Sequence, residues 1–433
     1  VSLSAPRLTR LPSVKSMSHE PRPRTVVGCT LLVIALGAVA SACGSDGNPL
    51  AERPYDATDQ ISFNGPKDDG KKADPDKPLE VTADDDDRIT DVTAVDASGR
   101  YLAGELAADG SRWHSTEPLA AGVRYTVRVS TEDGDGAPGR RVLTFDTGKP
   151  TTKKRLTVTF GPDAGEYGVG QPVTAKLDQP VKDPAQRAVV ERALKVDSTP
   201  SAQGAWYWVD DKELHYRPKD YWPAHATLRV HSNLDGIKIG DRLWGGPAKD
   251  LKLTIGDRVI AVTDASSHSM KVFKNNEVIN QIPVTTGKPG FDTRNGIKVV
   301  LGKEYFVRMR STTVGISEGS SESYDLPVYY ATRVTWSGEY VHAAPWSVGS
   351  QGYANVSHGC TGMSTSNAEW FFDNVRAGDV VQVVNSAGDT METFGNGFGD
   401  WNLDWQKWTK GSALTAAKQN TEQVTSRLQP AAV

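Results

Sequence analysis

Val356-Ser357-His358-Gly359-Cys360-Thr361-Gly362-Met363-Ser364 is the stretch on which the reading of this 433-residue chain turns. His358 and Cys360 are two residues apart, so an extended backbone projects both to one side. Gly359 between them leaves the backbone amides open to a close-approaching ligand. Eighteen residues before the cysteine stands His342, in Tyr340-Val341-His342-Ala343-Ala344-Pro345-Trp346. A thiol reacts as its thiolate, and a free thiol with a pKa of ~8.5 needs a neighbouring imidazole to take its proton. His342 is the candidate base. An imidazole in that role needs an acceptor on its second nitrogen. No obvious carboxylate is read nearby in sequence, so a backbone carbonyl such as that of Ala343 fills the place.

The cysteine count isolates this site. The chain holds three cysteines, Cys29, Cys43 and Cys360. Cys29 falls in an apolar run, Val26 to Ala42, preceded by Arg22 and Arg24. That run reads as an export segment; it is short for a membrane span of ~20 residues, which is the alternative reading. Ala40-Ser41-Ala42-Cys43-Gly44 resembles a lipobox, with cleavage before Cys43 and a lipid on its thiol. Export to an oxidising compartment leaves Cys360 as a lone thiol, which is a liability there unless it has a use. A buried inert cysteine is the plain alternative, and the neighbouring His and Gly residues argue against it.

Net charge is −4; the first 42 residues carry five basic residues and one acid, so the remainder stands at 44 basic against 52 acidic residues. An acidic chain lacks the basic face that phosphate binding needs, which excludes a nucleic-acid partner. At 433 residues the chain is too long for one core. The reading divides it into an export segment (1–42), a lipidated tether (43–58), two immunoglobulin-like β-sandwiches (59–148 and 149–256), a catalytic β-domain (257–386) and a C-terminal segment (387–433). Short alternating runs with Gly and Pro between them, such as Tyr125 to Val129 and Val173 to Leu177, carry the sandwich reading. One helix is expected within Pro184 to Leu194, with Ala188, Val189, Ala193 and Leu194 on its apolar face. Trp206 and Trp208 share one side of a strand; core packing is favoured over a sugar-stacking platform. His215 and His225 have no ligand-spaced partners and read as structural. Trp401, Trp405 and Trp408 form one face of a short helix expected to dock on the catalytic domain. The tail from Gly411 reads as a loose end. Neither sandwich holds a cysteine or a phosphate loop, so both read as a spacer.

Ser357-His358-Gly359-Cys360, with His342 in a His-Ala-Ala-Pro-Trp-Ser setting, resembles the signature of L,D-transpeptidases of the mycobacterial and related actinobacterial type. The resemblance extends to the lipobox, the two sandwiches and Gly399-Asp400-Trp401-Asn402. It implies a mainly β fold and a cysteine-dependent acyltransferase. Cys360 would be the nucleophile, His342 the base, Ala343 the orienting carbonyl and His358 a second histidine. The Cys360 amide, with Gly359 beside it, would hold the oxyanion. Tyr324 would be a lid tyrosine, and Met309, Trp346 and Ser357 would face substrate. The implied partners are two peptidoglycan tetrapeptide stems, donor and acceptor, joined 3→3 with loss of D-alanine. Carbapenem β-lactams would be covalent inhibitors, a lipid would anchor the protein at the outer face of the cytoplasmic membrane, and no cofactor or metal is implied. Thr361 and Gly362 depart from the family's apolar residue and Asn after the cysteine. Gly287-Lys288-Pro289-Gly290-Phe291-Asp292-Thr293-Arg294-Asn295-Gly296 departs from its usual Gly-x-x-x-Thr-Pro-x-Gly. Three rivals remain. One is an L,D-carboxypeptidase, one a non-catalytic wall-binding lipoprotein, and one a zinc site on His342, His358 and Cys360, for which no further ligand is in view.

Overall fold

In the computed structural model the described residues are 53–66, 71–84, 86–150 and 152–415. The expected export segment, Cys43, the tether before residue 53 and the tail beyond residue 415 lie outside them.

Alternation decides the first sandwich. One sheet orders Tyr55–Asp56, Pro138–Asp146, Arg124–Asp133 and Asp87–Asp96; the other orders Ile61–Phe63, Glu80–Ala83, Arg112–Ser115 and Gly104–Leu106. Along Arg124–Asp133 the buried residues are Tyr125, Val127, Val129 and Thr131, one side of the pleat. They meet Val81, Trp113 and Phe145 in a single core. Tyr125 keeps its hydroxyl satisfied there by accepting the Ala120 N–H at 2.8 Å.

The second sandwich obeys the same logic, with sheets ordered Val158–Gly161, Val173–Leu177, Glu213–Pro218, Gly204–Trp208 and Gly165–Tyr167, Leu251–Ile255, Thr227–Ser232, Leu194–Thr199. The helix Pro184–Ala193 begins where Asp183 accepts the Gln186 N–H at 2.9 Å, with proline in its first turn. That start sets its phase, so Val190 rather than Val189 enters the core, and Leu194 already belongs to the next strand. Trp206 and Trp208 do share a side, and it is the inner one. Trp206 packs edge-on to Tyr216, and Trp208 donates from Nε1 to Glu191 at 3.0 Å. Both rings are buried, which leaves no platform for a sugar. This core also takes in Ile260 and Val380 from beyond residue 257. Gly168 and Gly170 donate backbone hydrogen bonds to Ala377 and Gly378 at 2.8 and 2.9 Å. The second sandwich is therefore fused to the third unit, not strung before it as a separate bead.

The third unit packs a five-stranded sheet against a four-stranded one. The first orders Glu277–Pro283, Ser269–Lys274, Val259–Asp264, Val380–Val384 and Gly296–Val299; the second orders Gly302–Arg310, Asp325–Arg333, Tyr340–Ala343 and Thr361–Met363. Met270, Val272, Ile282, Val341, Met363 and Val381 fill the space between. The helix Thr365–Asn374, capped by Ser364, adds Ala368 and Phe371 to that core. The pairing that matters is parallel: Val341 with Thr361, His342 with Gly362, Ala343 with Met363. A parallel pair needs a long crossover, and residues 344–360 supply it.

The C-terminal segment departs from the expected docking. Trp401 lies in the 3-10 turn Asp400–Asn402, and only Trp405 and Trp408 share the helix Trp405–Lys410. The indoles gather around a cation on the second sandwich: the Arg217 guanidinium stands 4.7, 5.5 and 4.6 Å from the rings of Trp401, Trp405 and Trp408. Stacking on aromatic faces offsets part of the cost of burying that charge. Trp408 Nε1 donates to Ala205 O at 2.9 Å, and Trp401 Nε1 to Gly170 O at 2.8 Å. Asn402 reaches the catalytic sheet, accepting from Ile297 N at 2.7 Å and donating to Ile297 O at 3.0 Å. The tail is not loose at its start, because Ser412 Oγ and Ala413 N both donate to the buried Glu191 carboxylate.

His215 belongs to the same clamp, its Nδ1 2.7 Å from the fully buried Asp400 carboxylate. Burial opposes its charge, but Asp400 and Glu213 outweigh burial and push it up to about 9. A histidine with a raised folded-state pKa stabilises fully below its unfolded value of ~6.5 and loses that contribution as pH rises through the folded value. The expected result is a stability that falls between pH 6.5 and pH 9 by an amount on the order of 3 kcal/mol. His215→Gln should flatten that slope; urea melts of both proteins with equal slopes across this window would remove the assignment.

Candidate active site

Cys360 sits at the end of the crossover, immediately before the strand Thr361–Met363, and the parallel register sets it beside the His342 strand. This is how eighteen residues of separation close to neighbours. Gly359 has φ +114°, a left-handed region that side-chain-bearing residues rarely adopt. A Cβ there would meet nothing nearer than Phe291 O at 3.7 Å, so the need for glycine is one of backbone conformation, not of space. The segment at 358–360 is a bend, not the extended strand expected from the His-x-Cys spacing. His358 and Cys360 face one cavity nevertheless, because the bend is held from both ends. Ser357 Oγ donates to Cys360 O at 2.6 Å and accepts from Gly359 N at 3.2 Å. Thr293 Oγ1 donates to Gly359 O at 2.8 Å and accepts from Gly287 N at 2.9 Å.

The cavity has a volume of about 290 Å³, and Met309, Tyr324, His342, Trp346, Ser357, His358 and Cys360 all line it. His342 is buried, and its Nδ1 donates to Ala343 O at 2.8 Å in the tautomer that leaves Nε2 free for a proton. Ala343 contributes through this carbonyl, and Gly359 through its backbone. Burial holds His342 below its ordinary value, against the hydrogen bond to Ala343. Burial also pushes the Cys360 thiol up to about 11, with the Glu339 carboxylate adding to the rise. Both shifts favour the neutral forms, and Cys360 Sγ lies 3.5 Å from Gly338 O. Such a pair can move a proton at the moment of attack without storing a thiolate.

His358 is already engaged. Its Nε2 lies 2.7 Å from Glu322, and its ring packs between Phe291 and Tyr324 at centroid distances of 4.7 and 5.1 Å. Glu322 also ion-pairs with Lys288, and both partners hold its carboxyl below the usual range. Glu322 thereby ties the segment that ends in Tyr324 to His358 and Lys288, and Val314 and Tyr324 of that segment line the cavity. Trp346 is 53% exposed at the rim, its ring 6.1 Å from His342. At Gly362 an added Cβ would stand 3.0 Å from Ala344 Cβ and 3.1 Å from Thr285 Cγ2. Neighbouring residues therefore fill the space a side chain would take. Among the described residues no group of three His, Cys, Asp or Glu side chains is placed to hold a metal ion.

Several participants escaped the sequence reading. Gly338 and Glu322 gave no signal, since one acts by a carbonyl and the other sits in a Ser-rich loop. Thr293 was legible only as part of the departing Gly287–Gly296 stretch. Lys298 had a signal: a lysine in the apolar run Ile297 to Leu301 is anomalous unless it is paired. It is 1% exposed and ion-pairs with Glu339, which Arg294 also contacts at 3.0 Å. Glu339, three residues before His342, is the carboxylate nearby in sequence, and its partners are Lys298 and Arg294.

A model of the L,D-transpeptidase catalytic domain matches residues 258–383, and a bacterial Ig domain model matches residues 70–238. The chain is 39% identical over 340 residues to L,D-transpeptidase 2 of Mycobacterium tuberculosis, covering 78% of this chain and 81% of that protein. To L,D-transpeptidase 5 of the same organism it is 31% identical over 423 residues, covering 94% and 90%. Among solved structures, L,D-transpeptidase 3 from Mycobacterium tuberculosis with a faropenem-derived adduct matches at 33% identity and TM-score 0.45, over 53% of this chain and 98% of that one.

Proposed function

The chain belongs to the L,D-transpeptidase family, and on that premise we propose that it is a peptidoglycan L,D-transpeptidase with Cys360 as its nucleophile. One observation carries the assignment of the acid–base pair. His342 spends Nδ1 on the Ala343 carbonyl, which leaves Nε2 for the cavity that Cys360 also lines.

The reaction proceeds from that tautomer. A donor tetrapeptide stem enters with the carbonyl of its third residue, diaminopimelate, against Sγ. His342 takes the thiol proton as sulfur attacks. The oxyanion forms beside the Cys360 amide, where Gly359 keeps the backbone open. Loss of one such donor costs about 3–4 kcal/mol in other enzymes. The C–N bond to D-alanine breaks, His342 gives its proton to the leaving amine, and a thioester remains. The side-chain amine of a second stem then attacks the thioester and passes its proton to His342. The amide forms, the thiol is restored, and the stems are joined 3→3. Tyr324, Met309, Trp346 and Ser357 contact the stems along the cavity, and His358 orients them through the Glu322 contact. A carbapenem acylates the same sulfur.

Mass spectrometry of products from a tetrapeptide stem tests this. With an acceptor amine the expected product is the cross-linked dimer plus D-alanine. A tripeptide as the sole product at saturating acceptor would make the enzyme a carboxypeptidase. No turnover in either assay would leave a wall-binding protein.

A further inference from the structure

The backbone that holds the nucleophile is residues 338–340. Gly338 O lies 3.5 Å from Cys360 Sγ, and Cys360 packs against the small cluster that contains Tyr340. Glu339 lies between these two contacts. Its own backbone closes a turn, with N donating to Thr335 Oγ1 at 2.9 Å and O accepting from Val334 N at 3.0 Å. Its carboxylate points the other way, into the protein. One oxygen meets Lys298 Nζ; the other accepts from Arg294 Nη1 at 3.0 Å and Arg294 N at 3.3 Å. Lys298 belongs to the strand Gly296–Val299 of the five-stranded sheet, whereas Glu339 leads into Tyr340–Ala343 of the four-stranded one. The pair thus joins the two sheets at the residue next to Gly338, whose carbonyl contacts the sulfur.

We propose that Glu339, gripped by Lys298 and Arg294, is a positioning residue that fixes residues 338–340 against Cys360, and that Lys298 supplies the buried positive charge which offsets the charge of the thiolate formed during attack. The inference rests on Cys360 being the nucleophile. Arg294 is shared with Glu392 at 3.5 Å, so the four charges balance, and Lys298, 1% exposed, is the buried cation of the cluster. The Glu339 carboxylate disfavours ionisation of the thiol, and Lys298, to a lesser extent, favours it. For stability alone, an apolar pair of the same volume serves as well as a buried ion pair, since removing two charges from water is costly. Its place next to Gly338 gives the charge a use.

Three full-length variants test it: Lys298→Met, Glu339→Gln and the double Lys298→Met/Glu339→Leu, in which no buried charge lacks its partner. Thermal melting reads the fold. Iodoacetamide alkylation against pH reads thiol ionisation. Carbapenem acylation is resolved into initial binding and a first-order acylation constant. Lys298→Met should move the alkylation midpoint to higher pH and lower the acylation constant at least tenfold at unchanged initial binding. Glu339→Gln should not raise the midpoint and should also slow acylation. The double variant should fold, bring the midpoint back toward wild type, and still acylate slowly, because nothing grips residues 338–340. Folded variants with a wild-type alkylation profile and acylation constant overturn the proposal. If the single variants do not fold, the double decides: wild-type acylation overturns the proposal, slow acylation at unchanged binding supports it, and failure to fold also overturns it by making the pair a requirement of the fold. Absence of a Cys360 adduct in the wild-type protein is a different failure, that of the proposed function.

Discussion

Cys360→Ala is expected to abolish covalent capture by a carbapenem and all turnover of a tetrapeptide stem, with stability changed by no more than about 1–2 kcal/mol. The two halves of this prediction have separate causes. Activity disappears because, in the proposed reaction, Sγ is the atom that bonds to the acyl carbon, and Cys360 is the cysteine among the described residues. Stability persists because the thiol is a minor part of the packing. Cys360 sits at the edge of a small cluster of Val328, Ala331 and Tyr340, and it is only partly buried. The bend around it is held by Ser357 Oγ and Thr293 Oγ1 through backbone groups that alanine keeps. Intact mass of the protein after incubation with the drug, together with peptide mapping, reads the result. An adduct retained in the variant would remove the cysteine mechanism.

His342→Ala is expected to slow acylation by ~10²–10⁴-fold, the range for a positioned acid–base group. Its pH dependence is the more telling outcome. In the wild-type protein the base must be neutral, and burial holds its pKa below the ordinary value. The acid limb of the rate should therefore fall below pH ~6.5. Without His342 that limb disappears. The residual rate should rise with hydroxide instead, as the thiol ionises toward its value of about 11. His358→Ala should lower the rate without removing the acid limb, because its Nε2 is spent on Glu322 and its ring on Tyr324. Identical pH profiles in wild type and His342→Ala would take the role of base away from His342.

Much of the chemistry was legible without coordinates because it is local. Cys360, Gly359, His358 and Ser357 are consecutive, and the orienting carbonyl belongs to the residue after His342. A left-handed glycine and a carbonyl one residue away are properties of a few adjacent peptide units. The strands of the sandwiches were legible for the same reason, since a period of two marks a pleated face wherever it occurs. The inward direction of Trp206 and Trp208 was favoured by their apolarity and fixed by their neighbours.

The sequence by itself pointed to the proposed nucleophile, its proposed base and the alternating strands, because each is written in residue type and short spacing. Tertiary structure alone decided the rest. It put Gly338 O, Thr293 and Glu322 around the bend and buried Lys298 against Glu339. It gathered Trp401, Trp405 and Trp408 around Arg217 on the second sandwich, not on the catalytic sheet. It also turned an expected spacer into a partner that shares its core with Ile260 and Val380. The physical reason is common to all of these. Each joins residues distant in sequence through a carbonyl, a charge or a ring face, and such contacts leave no period in the chain. A buried charge becomes tolerable only once its partner arrives from another element. The thiol shows the limit most clearly: its neighbours in sequence supply a base for its proton, and burial by residues from elsewhere in the fold raises its pKa.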